Sequence, residues 1–159
     1  MDFRKERRRR KTSQKRDKSE AIKYALKLLR YRVRFVEEVK ERLKEQGFEG
    51  SVIKETIEEL KKKGYLDDEK ASYLFAFDEM KLKHFGPRVV KQKLVRLGVD
   101  EELAEKVVER VFVEIDWKEE FERIAKRFKS KHELRDYLYR RGFAPSQIEE
   151  ILDQIDGGE

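Results

Sequence analysis

The sequence predicts an all-α protein built as three tandem three-helix repeats that form an elongated, curved array. Three observations carry that prediction. The pattern Leu-x-x-x-Gly-apolar occurs as Leu43 to Phe48, Leu94 to Val99 and Leu138 to Phe143, each with a glycine where a helix has to stop. Apolar residues recur at matching distances from these glycines: Val39, Val90 and Leu134 before them, Ile53, Ala104 and Ile148 after them, then Ile57, Val108 and Leu152. Such offsets mark one face of a helix on either side of each glycine. Finally, the chain has 2 prolines and 8 glycines while 47% of its 159 residues are charged. That composition suits amphipathic helices meeting in thin apolar layers, not one large core.

The net charge of +6 is unevenly placed. Residues 1–19 hold ten Lys or Arg against Asp2, Glu6 and Asp17, which leaves residues 20–159 at −1. The expected organisation is a disordered basic arm over residues 1–18 on a near-neutral helical body. Arg7, Arg8, Arg9, Arg10 and Lys11 are the candidate polyanion contacts of that arm.

The first repeat, residues 19–66, opens on the stripe Ile22, Ala25, Leu26 and Leu29. Its second helix is expected from about Phe35 to Gln46, and its third from about Gly50 to Lys63 before Gly64. The second repeat, residues 67–115, begins with Asp67 and Asp68, which read as a helix N-cap. Its stripe is Tyr73, Ala76, Phe77 and Met80; Leu74, Phe75 and Leu82 are surplus apolar residues expected to pack against neighbouring repeats. Pro87 follows Gly86 at a first helical turn. The third repeat, residues 116–159, restores the stripe as Phe121, Ile124, Ala125 and Phe128, with Trp117 one turn earlier. It is four residues shorter between its first two helices, where Ser130 and Glu133 form a capping-box pattern. Its last helix is expected from Pro145 to about Ile155.

Catalytic chemistry finds no foothold. His84 and His132 are the only histidines, neither has a second histidine at ligand spacing, and cysteine is absent. They read as surface or capping residues. No glycine-rich phosphate loop follows a strand. The expectation is a non-enzymatic protein without cofactor or metal. The longest strongly apolar run, Tyr73 to Phe77, is too short for a bilayer, and the basic N-terminus lacks the apolar stretch of a secretory signal. A soluble, cytoplasmic protein without membrane contact is therefore expected.

From Lys81 to Arg96 there are six bases and no acid: Lys81, Lys83, Arg88, Lys91, Lys93 and Arg96. With Arg30, Arg32 and Arg34 in the first repeat they form the candidate binding surface, since uncompensated charge raises the field an anionic partner feels.

The repeats, once laid out, resemble the RecX family of regulators of the RecA recombinase. The resemblance covers about residues 20–156. It is carried by Ala25 to Arg30 with Arg32 and Arg34, by Glu38-Val39 and Leu43 to Phe48, by Gly64 to Asp68 with Ala71, and by Gly86-Pro87-Arg88 leading to Leu94 and Gly98-Val99. One departure is Phe35, where the family usually has a capping serine; helices one and two are expected to join differently here. The resemblance implies a monomer that binds the RecA–DNA filament along its groove. It further implies suppression of ATP hydrolysis and strand exchange in recombination, DNA repair and the SOS response, with contact to single- or double-stranded DNA. The rival reading is a stand-alone helix-turn-helix DNA-binding regulator. The acidic third helices of repeats two and three, in a chain without asparagine, disfavour base readout.

Overall fold

The computed structural model describes residues 3–157. Its elements, all helical, are α1 Phe3–Tyr31, α2 Val36–Glu45, α3 Gly50–Lys62, α4 Asp68–Phe77, a π-helical turn Asp78–Leu82, α5 Pro87–Arg96, α6 Glu101–Glu114, α7 Trp117–Ala125, α8 Lys131–Arg141 and α9 Pro145–Asp156. The chain divides into two compact units, one ending at Ala71 and the other beginning at Ser72.

The repeated motif is a helix terminator. Gly47, Gly64, Gly98 and Gly142 have φ of +86°, +77°, +92° and +106°. The residue after each glycine donates its N–H back to a leucine carbonyl: Phe48 to Leu43, Tyr65 to Leu60, Val99 to Leu94 and Phe143 to Leu138, at 2.9–3.3 Å. That six-to-one bond, beside the shorter one from each glycine N–H, satisfies carbonyls the helix leaves open. The leucines it returns to are buried, so one motif both ends a helix and anchors it in the core.

In the first unit, Ala21 and Ala25 of α1 meet Val36, Val39 and Leu43 of α2 and Val52, Ile57 and Leu60 of α3. Arg34 locks the α1–α2 connection, with Nε donating to the Leu28 carbonyl (3.3 Å) and Nη1 to Glu38 (3.1 Å). Phe35 is buried and offers α2 no side-chain cap. Asp68 supplies one instead: its Oδ1 accepts from the Val36 N–H at 2.9 Å. The adjacent acids thus divide their work, because Asp67 Oδ1 accepts from Glu69 and Lys70 at the start of α4.

α1 runs as one helix from Phe3, over a stretch read from its composition as a disordered arm. No glycine or proline precedes Gly47. Extending an already packed helix avoids the unfavourable nucleation step, and Arg, Lys and Gln are good helix formers.

In the second unit, Met80, Val90, Leu94, Ala104, Val108 and Val111 form one layer. The other centres on Trp117, Phe121 and Phe143, whose rings meet edge to face with centroids 5.0–6.0 Å apart. Ser130 caps α8 as expected, its Oγ accepting from the Glu133 N–H at 3.2 Å. The expectation that Leu74 and Leu82 pack against neighbouring repeats is not met: they are 52% and 70% exposed. Phe75 is half-buried. An apolar side chain gains burial only on the inward face of its turn, and Leu74 and Leu82 point away from the Ala76–Met80 side.

The start of α5 is seated on the end of α8. Gly86 N–H donates to the Arg141 carbonyl at 2.8 Å and Arg88 N–H to the Gly142 carbonyl at 3.2 Å. A Cβ on Gly142 would lie 2.7 Å from Val89 Cγ2 and 2.8 Å from Val89 N, whereas one on Gly47 would meet nothing within 4 Å. Gly47→Ala is therefore expected to cost about 1 kcal/mol, from the left-handed backbone alone. Gly142→Ala adds steric overlap against backbone and is expected to cost roughly 3 kcal/mol or more. Chemical denaturation of the two variants checks the order, and equal losses would remove the close packing as its cause.

Candidate functional site

The basic residues singled out from the sequence sort into two groups. Lys81 pairs with Glu120, while Lys83 and Lys93 hold Glu79 from either oxygen at 2.7 Å each. Lys91 lies 3.4 Å from Glu101 and 3.7 Å from Glu105 of α6. In the first unit Arg32 and Arg34 share Glu38. The stretch from Lys81 to Arg96 lacks acids in sequence but not in space, which corrects the premise that its charge is uncompensated. The physical reason is burial: Glu79 and Glu120 are 4% and 2% exposed, and a carboxylate removed from water requires cationic partners.

Arg30, Arg88 and Arg96 are exposed and make no ion pair among the described residues. Arg88 reaches only the Tyr139 carbonyl, at 3.4 Å. Arg32 stays half exposed while pairing. The side chains of Arg7, Arg8, Arg9, Arg10 and Lys11 fall outside the described residues; their backbone belongs to α1.

Around the buried acids lies a network that the sequence reading missed. His84, half-buried and at φ +58°, donates from Nε2 to Glu120 Oε2 at 2.9 Å. It is neither a surface nor a capping residue. Next to it, the Phe85 ring has Lys93 Nζ 3.6 Å and Arg141 Cζ 3.7 Å from its centroid. Both cations are within cation–π reach of the one ring. Arg141 also donates to the Lys83 carbonyl. The π-helical turn, the Gly86-Pro87 corner, α7 and α8 are thereby fastened together by charge. His132, in contrast, is exposed, 3.7 Å from Asp136.

A signal for the acids was present in the repeats. Aligned by their stripes, Glu120 occupies the place of Ala21 and Ser72, both fully buried, and Glu79 the place of Leu28. A charge at a position that other repeats bury must bring its own counter-ion.

Burial raises the Glu79 carboxyl, but hydrogen bonds from Lys83 and Lys93 outweigh it and leave the group below its ordinary value of 4.5. Glu120 is likewise raised by burial and brought lower overall by Lys81 and His84. Carboxylates lowered on folding contribute stability that is present above the ordinary value and lost as pH falls through the folded one. Lys93→Met should cost about 2 kcal/mol near neutral pH, less than the roughly 3–5 kcal/mol of a wholly broken buried pair, since Lys83 still holds Glu79. Glu79→Gln with Glu120→Gln should lower stability at pH 7 and flatten its decline below about pH 4. Urea unfolding across pH reads both effects; an unchanged acid limb would show that these pairs do not govern it.

Among the described residues no group of three or more His, Asp or Glu could hold a metal ion, and no helix is long and apolar enough to cross a membrane. A sequence profile described as "RecX, first three-helix domain" matches residues 21–60 and again residues 123–154, within the first and third repeats. The regulatory protein RecX of Thermotoga petrophila is 61% identical over all of this chain and 99% of its own length. That of Thermotoga maritima is 59% identical over 87% of this chain and 86% of its own length. The crystal structure of RecX from Lactobacillus salivarius superimposes with a TM-score of 0.72 at 23% identity, covering 88% of this chain and 97% of that one, a likeness of fold. Given a relative 61% identical along its full length, the chain belongs to the RecX family.

Proposed function

We propose that this protein is a non-enzymatic regulator that binds the RecA–DNA filament and inhibits its ATPase and strand exchange. The single observation that carries the reading is the full-length match to a relative named as a regulatory protein. What the geometry adds is a choice among the cations. Lys81, Lys83 and Lys93 are engaged with buried carboxylates, so they serve the fold first. Arg30 and Arg32 in the first unit, and Arg88 and Arg96 in the second, remain available to an anionic surface. A nucleoprotein filament is such a surface.

Stand-alone base readout is less well supported. α9 contains Glu149, Glu150, Asp153 and Asp156 and no Lys or Arg, and the start of α6 is Glu101-Glu102. Acids along those helices would repel phosphates.

RecA's DNA-dependent ATPase, with and without the protein, tests the function. Arg88→Glu combined with Arg96→Glu tests the surface, because both side chains can change without exposing a buried acid. The expected outcome is unchanged helicity and an inhibition midpoint raised about tenfold, with the difference shrinking at high salt. Full potency in the folded double variant would exclude these two arginines from the contact.

A further inference from the structure

We propose that the cleft where the corner between α6 and α7 meets α9 is a docking site for a basic protein segment, which seats one apolar side chain against Trp117. This goes beyond filament recognition, because the partner it calls for is cationic.

The cleft measures about 250 Å³ and is walled by Phe112, Val113, Ile115, Trp117 and Ile151. That is below the roughly 300–1,000 Å³ of sites that enclose a whole small molecule, and suits a single anchoring side chain. Ile115, Trp117 and Ile151 are buried, whereas Val113 is 82% exposed and forms the lip. An exposed valine alone is ordinary. This one extends an apolar floor outward. Trp117 is held by edge-to-face contacts with Phe121 and Phe143, and its Nε1–H already donates to the Phe112 carbonyl at 2.9 Å. The polar edge of the indole is thus satisfied, and what it offers an occupant is apolar.

The rim sets the sign of the flanks. Asp116 and Glu150 line the cleft with one cation, Lys118, and neither acid makes an ion pair among the described residues. Their neighbours on α9 are taken up, Glu149 by Arg135 and Asp156 by Lys131. Asp116 Oδ1 accepts from the Glu119 N–H at 3.2 Å, so the start of α7 is already capped. α6 ends at Glu114 with no base in its last turn, and its terminal carbonyls favour a cation as well. An apolar floor under an acidic rim complements a basic segment with one apolar anchor. Nucleic acid and anionic membranes are repelled by the same rim.

Trp117 is the only tryptophan of the chain, so its emission reports on the cleft. The full chain is titrated at low salt, without RecA or nucleic acid, with a synthetic lysine–alanine peptide carrying one central leucine. A saturable change in emission is expected, weakened about tenfold when alanine replaces that leucine and lost when glutamate replaces the lysines. Glu150→Lys should weaken binding of the leucine peptide about tenfold, and Val113→Ser several-fold. Both positions are exposed, so folding is expected to survive, and thermal melting verifies it. No saturable change up to millimolar peptide, or full affinity in folded Glu150→Lys, overturns the proposal. So does an equal response to the glutamate peptide, which would make the cleft a purely apolar site. Self-association of the chain that Glu150→Lys abolishes overturns it too, by assigning the cleft to a second copy. Failure of RecA inhibition would leave these outcomes unaffected, so the two readings fall separately.

Discussion

A carboxylate removed from water must be met by cations, and the second unit imposes that requirement twice, at Glu79 in the π-helical turn and at Glu120 in α7, which a lysine of that turn reaches. Glu79 draws Lys83 from its own turn and Lys93 from α5; Glu120 draws Lys81 and His84 to α7. Each acid therefore spans elements that the apolar layers alone would leave free to slide. Apolar contacts are tolerant of small shifts, while a buried charge pair is not. The ring of Phe85 converts the same cations into packing, so Lys93 and Arg141 are held by an aromatic face as well as by hydrogen bonds.

This arrangement changes what the basic stretch means. Segregated charge in a sequence can mark a surface aimed at a partner or two faces aimed at each other. Here most of the lysines answer acids within their own unit, and the cations left over are arginines. That division is physically sensible. Lysine's compact ammonium can fill a gap beside a buried carboxylate, whereas an exposed guanidinium offers several donors to phosphate or carboxylate groups.

Much of the fold was legible because its signals are local. A glycine with positive φ leaves a mark that few other residues can counterfeit, so the ends at Gly47, Gly98 and Gly142 could be read directly. Leu43, Leu94 and Leu138 are fully buried at equal distances from them for the same reason. The pairing of Lys81 with Glu120 joins residues 39 apart; the repeat alignment marks Glu120 as buried but does not say which cation meets it. Composition weighs burial but not continuity with a packed helix, so it gives no sign that α1 extends back to Phe3. Leu74 and Leu82 were misplaced by assuming that a surplus apolar residue must find cover. The premise of uncompensated charge suffered most, since charges were counted along the chain while their energies depend on distance in space.

The bond from the Val36 N–H to Asp68 links the beginning of α2 to the beginning of α4, 32 residues later. In sequence the first repeat looks self-sufficient once its third helix has ended at Gly64. Chemically it is not, because one orphan amide of its second helix is satisfied only by the opening of the next repeat. The first compact unit accordingly runs past the third helix to include the opening of α4, and the seam between modules does not coincide with the seam between helices. A fragment cut at Leu66 would keep the core cluster of the first repeat and still lack the acceptor of the Val36 amide.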